Sequence, residues 1–157
     1  MENVFIHETA MVESDTIGNN TKIWAYSHIC KGAIIGDNCV IGEGVYVGPG
    51  VVIGNNCKVQ NHSLLYEGVV IEDSVFIGPN VVTTNDLYPD VSNDWKHRFR
   101  QTYFRKGCSI SANSTIICGT EIGENTLIGA GSLVTKTMPS NSICFGNPCK
   151  FRRVKNN

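Results

Sequence analysis

The chain has 157 residues, 41% hydrophobic and 17% charged, enough for one packed domain. Thirteen Lys and Arg against fourteen Asp and Glu give a formal net charge of −1, which excludes a global pull toward nucleic acid or a membrane surface. Seven cysteines, at 30, 39, 57, 108, 118, 144 and 149, make an odd number without a C-x-x-C pair, and no apolar run reaches membrane-spanning length. With no secretory leader at the start, a reduced, cytoplasmic setting is expected, with the thiols buried as small hydrophobes.

From the first residues the chain repeats every six positions. Phe5, Met11, Ile17, Ile23, Ile29, Ile35, Ile41, Val47, Ile53, Val59, Leu65, Ile71 and Ile77 are all large and apolar. Gly often follows, and a small or β-branched residue, such as Thr21, Val45 or Val51, comes four positions later. A period of six is neither helical nor a simple alternation. In "VVIG", 51–54, strand geometry points Val51 and Ile53 inward and Val52 outward, while Gly54 opens a turn. Each hexapeptide is then one short strand and one corner, with "GDN", "GNN" and "GEN" at 36, 54 and 123 suiting the corners. Stacked coils of this kind make a parallel β-helix.

With eighteen residues per coil, outward positions stack. One face carries Thr16, Ile34, Val52 and Val70; a second His28, Tyr46, Leu64 and Val82; the third Lys22, Val40, Lys58 and Phe76. Two largely apolar outer stripes predict a homo-oligomer, unless a loop or tail covers them.

The rhythm breaks at "VVTTNDLYPD", 81–90, and resumes with Ile110, Ile116, Ile122, Ile128 and Val134. The expected layout is repeats over about 5–83 and 108–139, roughly six coils, with an inserted loop over about 84–107 and a tail over 140–157. The loop carries Leu87, Tyr88, Trp95, Phe99, Tyr103 and Phe104 together with Lys96, His97, Arg98, Arg100, Arg105 and Lys106. Such a mixture suits a nucleotide, with rings for the base and cations for phosphate. It equally suits a loop docked on its own solenoid with a solvated basic edge.

The [LIV]-G-x-x-x-x array resembles the hexapeptide-repeat acyltransferases. That resemblance implies an all-β, left-handed parallel β-helix with one long inserted loop, assembled as a homotrimer with active sites between subunits. Through "IWAYSHICKGAIIGDNC" at 23–39, "KVQNHSLLYEGVVIEDSVFIGPNVVTTN" at 58–85 and "GENTLIGAGSLVTKTMP…GNPCK" at 123–150, the chain is similar to the branch that N-acetylates nucleotide-linked 3-amino sugars. It implies acetyl-CoA as donor and no metal.

In the sugar O-acetyltransferases of the superfamily a catalytic His ends the repeat where Asn85 stands here. Asn85 has no proton to exchange near neutral pH, so it is expected to orient the acceptor. An amine needs less help than a hydroxyl, because its deprotonated form is already a good nucleophile. His62 in "QNHS" is the candidate base, or else a corner His capping a turn; His28 on the same face is assigned to the interface. Asp86 either pairs with the substrate ammonium or begins a turn; Tyr88 and Arg98 complete the expected substrate set. For coenzyme A, whose phosphates want cations, the expected set is Gly119, Gly129, Ala130, Lys136, Lys150 and Arg152, with Arg153 nearby; a solvated tail is the rival reading of the terminal charges.

The loop begins "NDLYPDVSND", with three Asp and no Arg before Arg98. A uronate would call for Arg. The expected acceptor is therefore a dTDP-3-amino-3,6-dideoxyhexose destined for surface glycan such as O-antigen, with UDP-2-acetamido-3-amino-2,3-dideoxyglucuronate as the alternative. A γ-type carbonic anhydrase shares the solenoid but needs three zinc-binding His; the four here, at 7, 28, 62 and 97, lack the spacing. A non-catalytic solenoid would not need the loop. No nucleic-acid or membrane partner is expected.

Overall fold

The computed structural model describes residues 2–91 and 95–156. Asp94 and the side chains of Trp95 and Lys96, counted above among the loop's acids, anchors and cations, lie outside the described residues. Short strands, mostly of two residues, wind into three parallel sheets that form the faces of a prism. Among the described residues no helix is long and apolar enough to cross a membrane.

The hexapeptide logic holds at residue level. Val51 and Ile53 are buried while Val52 between them is half-exposed. A column of Ile23, Ile41, Val59, Ile77, Ile110 and Ile128, one per coil, is fully buried along one face. Asn20, Asn38, Asn56 and Asn125 turn corners with φ near +57°, the left-handed region where Asn is the best-tolerated non-glycine residue. Gly18 needs its missing Cβ for another reason: that atom would collide with the Gly36 backbone of the next coil. All seven cysteines are free and buried, and Cys39 and Cys57 fill the inward small slot.

Four expectations are corrected. Phe5 and Met11 do not point inward. Phe5 pairs with Lys22 and Met11 with His28, so the first coil is one residue short and its faces are exchanged. Both are exposed, at 42% and 58%. Secondly, the solenoid resumes before 108. Thr102–Phe104 pairs with Val69–Ile71 on one side and Glu121–Ile122 on the other. Phe104, fully buried, takes the slot that Ile holds elsewhere, six residues before Ile110. Thirdly, the tail is not separate. Ser142–Phe145 continues the nine-stranded sheet with Cys144 in the Ile slot, and Lys150–Val154 folds back antiparallel as a cap. Lastly, that sheet holds eight parallel strands among the described residues, so the coil count is about eight, not six. Short first and last coils join despite breaking the eighteen-residue spacing.

Ile71 and Phe104 are 33 residues apart where a regular coil takes eighteen, so the excursion inserts fifteen residues. It leaves at Asn85 and returns through Arg100, whose amide donates to the Asn85 carbonyl.

Candidate active site

The loop and the solenoid enclose a cavity of about 490 Å³. Tyr46, Tyr66 and Phe99 supply aromatic walls, Pro49 and Pro89 line it, and Asn85, Asp86, Asp90 and Glu67 supply the polar groups. The walls follow from stacking. Tyr46 lies on the outward column of the seven-stranded sheet between His28 and Leu64. Its ring lies 5.7 Å from that of His28 and 5.5 Å from that of Tyr66. Cys30 beside its hydroxyl, and then burial, push the Tyr46 pKa up to about 12, so the phenol stays protonated.

Asn85 is half-buried and held from the solenoid side. The Thr84 amide donates to the Ile116 carbonyl at 3.0 Å, and the Cys118 amide donates to Thr84 Oγ1 at 2.9 Å. Buried Thr83 accepts the Tyr66 amide through Oγ1 and fixes the wall below.

Asp86 does begin a turn. Its Oδ1 accepts the Tyr88 amide at 2.9 Å, and its Oδ2 takes Arg98 Nη2 at 3.0 Å. The guanidinium also binds Asp90 with both terminal nitrogens, at 2.8 and 3.1 Å. Arg98 therefore clasps the loop, and the carboxylates of Asp86 and Asp90 hold it there. Tyr88 is 76% exposed and lines a neighbouring cavity of about 310 Å³ with His97 and Arg98, not the one at Asn85.

His62 is not brought to Asn85 within one chain. It occupies a corner with φ +60°, its amide donates to the Glu43 carbonyl, and its imidazole lies over Gly44, where a Cβ would collide with it. That corner precedes Leu64–Leu65, whereas Asn85 follows Val82–Thr83, so the two lie at opposite edges of one sheet.

The residues assigned to coenzyme A lie further along the axis. Thr115 and Leu133 follow Val82 by one and two coils, which puts the 129–136 segment about 10 Å beyond Asn85. Ala130, Lys136 and Lys150 are exposed. Gly129 is small because Phe145 packs over it: a Cβ would lie 2.7 Å from that of Phe145. Arg152 stacks on the same ring at 4.6 Å and its Nε donates to the Phe145 carbonyl, so it also caps the last coil. Gly119 has φ +80° and carries the Arg100 side chain, whose Cδ would lie 3.3 Å from an added Cβ.

Two site residues escaped the sequence reading. Glu67 lies eighteen residues before Asn85, one coil below, and that spacing was the available signal. Arg100, at the base of the loop, lines a second cavity of about 300 Å³ that shares Pro49, Glu67 and Phe99 with the first. Placing it required knowing where the loop returns.

The description "Bacterial transferase hexapeptide (six repeats)" matches residues 16–49, 50–85 and 102–136. The dTDP-3-amino-3,6-dideoxy-alpha-D-galactopyranose 3-N-acetyltransferase of Aneurinibacillus thermoaerophilus is 46% identical over 151 residues, 96% of this chain and 78% of that protein. A galactoside acetyltransferase solved with coenzyme A is 28% identical, with a TM-score of 0.69 over 80% of this chain and 66% of that one. An N-acyltransferase from Bacillus cereus, solved with dTDP-4-amino-4,6-dideoxyglucose and coenzyme A, shares the fold with a TM-score of 0.66 at 22% identity, over 99% of this chain and 82% of that one. The fold is an all-β left-handed parallel β-helix, and the chain belongs to the bacterial transferase hexapeptide family.

Proposed function

We propose that the chain transfers the acetyl group of acetyl-CoA to the 3-amino group of a dTDP-linked 3-amino-3,6-dideoxyhexose. The observation that carries this reading is the 46% identity, spanning 96% of the chain, to an enzyme of that name. The cavity agrees. Where a hydroxyl acceptor needs a base, Asn85 offers only an amide. Around it stand Glu67, Asp86 and Asp90, with no Lys or Arg among the described lining residues. That polarity favours a cationic amino sugar and disfavours a uronate carboxylate.

In the reaction the bound ammonium first gives one proton to water, and the neutral amine then attacks the thioester carbonyl carbon. A C–N bond forms, the C–S bond breaks, and the amine proton ends on the departing thiolate or on water. The products are the amide and free coenzyme A. Asn85 orients the amine, and Glu67 faces it from one coil below. Lys136 and Lys150 serve the coenzyme A phosphates, and Arg100 joins Arg98 at the nucleotide side.

The active assembly is a homotrimer. Ile34, Phe76 and Trp24 are exposed at 43%, 38% and 44%, a load of surface apolar groups that a partner copy would cover. The acceptor site lies between two subunits, and His62 reaches it only from the neighbour.

A panel of dTDP- and UDP-linked amino sugars with acetyl-CoA, followed by thiol release and product mass, tests the proposal. Acetylation of a dTDP-linked 3-amine is expected. Turnover of hydroxyl acceptors alone refutes it. Sedimentation should give about three times 17.2 kDa.

A further inference from the structure

Behind the Tyr46 wall of the Asn85 cavity, and not lining it, Glu13, His28 and Cys30 bring three different donor atoms together. His28 Nε2 is 3.0 Å from Glu13 Oε2 and 3.7 Å from Cys30 Sγ, and all three atoms lie within 4.8 Å of one another. Among the described residues no other group of three His, Cys, Asp or Glu converges in this way. We propose that this cluster binds one Zn²⁺ ion, held by the Glu13 carboxylate, the His28 imidazole and the Cys30 thiolate.

Ligand spacing fits the metal. Zinc bonds of about 2.0 Å to N and O and about 2.3 Å to S, at tetrahedral angles, place ligand pairs about 3.3 to 3.5 Å apart. The His28–Glu13 and His28–Cys30 pairs lie within a few tenths of an ångström of those edges, and the Glu13–Cys30 pair, within 4.8 Å, closes onto the ion by a side-chain rotation. The donor set is right as well: thiolate and imidazole select zinc over magnesium or calcium. Charge closes, because a carboxylate and a thiolate neutralise the ion. Binding requires the Cys30 thiolate and a bare His28 Nε2, so that the ring keeps its proton on Nδ1 and the displaced protons pass to water. The Tyr46 ring meets the His28 ring edge-on and fixes its plane. With the Glu13 and His28 side chains 50% and 38% exposed, water has access as the fourth ligand.

The placement gives the site a use. Glu13 belongs to the first coil; His28 and Cys30 belong to the second. Among the described residues the first coil pairs with the second alone, and Phe5, Ile6 and Met11 remain 42%, 44% and 58% exposed. Terminal repeats of a solenoid need capping. An ion bridging the two coils staples the open end. A mixed Glu, His and Cys set drawn from two coils carries no three-His spacing that the sequence could display. This inference is independent of the acetyltransferase reading.

Cobalt(II) titration of the full-length, metal-stripped protein tests it, because tetrahedral thiolate–cobalt absorbs in both the near-ultraviolet and the visible. One Co²⁺ per chain is expected, displaced by Zn²⁺. Cys30→Ser should abolish the near-ultraviolet band, and His28→Gln and Glu13→Gln should each weaken binding at least tenfold. Cys118→Ser, buried elsewhere, should leave the spectrum unchanged. Zinc at 100 times its Kd should raise the folding constant about 100-fold in the parent chain and much less in His28→Gln, an outward substitution that leaves the core intact. Absence of a cobalt spectrum, or a band that survives Cys30→Ser, overturns the proposal.

Discussion

The amide of Arg100 donates to the carbonyl of Asn85 at 3.0 Å, closing the loop at its neck. The inserted segment leaves and rejoins the solenoid at one point. Residue 85 is therefore the last whose position the coils dictate, and residue 86 the first that belongs to the loop. A side chain at this boundary has the rigidity of the prism and faces the loop. Asn85 uses its main chain for the closure, which leaves its carboxamide for the cavity.

Because the neck bond is main-chain, Asn85→Ala keeps the loop closed and removes only the amide. Loss of one buried hydrogen bond to the acceptor is worth about 1–3 kcal/mol. A fall in kcat/KM of about 10- to 100-fold is expected with an unchanged unfolding midpoint. Steady-state thiol release with the amino-sugar nucleotide, beside urea denaturation, measures both.

Arg98 binds Asp86 and Asp90 together, and Asp86 in turn holds the Tyr88 amide. Cutting this clasp frees two carboxylates at the cavity wall and loosens the loop. Arg98→Ala is expected to raise KM for the nucleotide sugar several-fold more than KM for acetyl-CoA, whose assigned residues, Gly119 apart, lie two coils away or beyond. Separate saturation curves for the two substrates decide it; equal shifts would point to general damage.

His62 occupies a left-handed corner that Asn holds at equivalent positions elsewhere, such as Asn80 one coil above. His62→Asn therefore preserves the corner and removes the imidazole. Stability within about 0.5 kcal/mol of the parent is expected. If the neighbouring subunit supplies this residue as base, the rate falls at least tenfold and the acidic limb of the pH–rate profile moves. An unaltered rate assigns His62 to the corner alone.

The sequence carried the solenoid openly because its signal is periodic and redundant. Thirteen consecutive slots obey one rule, and one departure does not hide it. What it hid were single-residue decisions. The first coil's one-residue slip exchanges the faces of Phe5 and Met11, yet either frame reads as apolar. Phe104 is large where the rule asks for Ile, so an inward core residue reads as a loop aromatic. Cys144 does the same at the other end. In the site, Asn85 was legible as the residue ending the repeat, and Glu67 was within reach through the eighteen-residue coil. The Arg98 clasp was not, because ion pairs within an aperiodic loop depend on its path. Nor was the separation of His62 from Asn85, since neighbours in the linear pattern occupy opposite edges of a face.

Arg105 bridges Glu72 and Glu121 at 2.8 Å each and lies 4.7 Å over the Tyr103 ring. The guanidinium holds both carboxyls below their ordinary value of 4.5. Groups with lowered folded pKa bind fewer protons folded than unfolded. Their contribution is complete above about 4.5 and is lost as pH falls through the lowered values. All three side chains are about a third exposed, so the total is of order 1 kcal/mol or less at neutral pH. Arg105→Met should cost about that at neutral pH and flatten the fall in urea midpoint below pH 4.5. An identical acid slope in both proteins would place the loss of stability elsewhere.

Phe104 offers the sharpest test of where the solenoid resumes. It is fully buried between the slots of Ile71 and Ile122 and is the bulkiest fully buried side chain in the prism. Were it a loop anchor, truncation would disturb substrate binding and leave the coils intact. As a core residue, Phe104→Ala opens a cavity across two coil interfaces and should cost about 3–5 kcal/mol. Phe104→Leu, which restores the aliphatic pattern of the other coils, should recover more than half of that. Each coil buries the next, so the loss should appear as a lower midpoint for the whole transition, read by circular dichroism. A separate early transition confined to the C-terminal coils would show instead that the insertion divides the solenoid into two folding units.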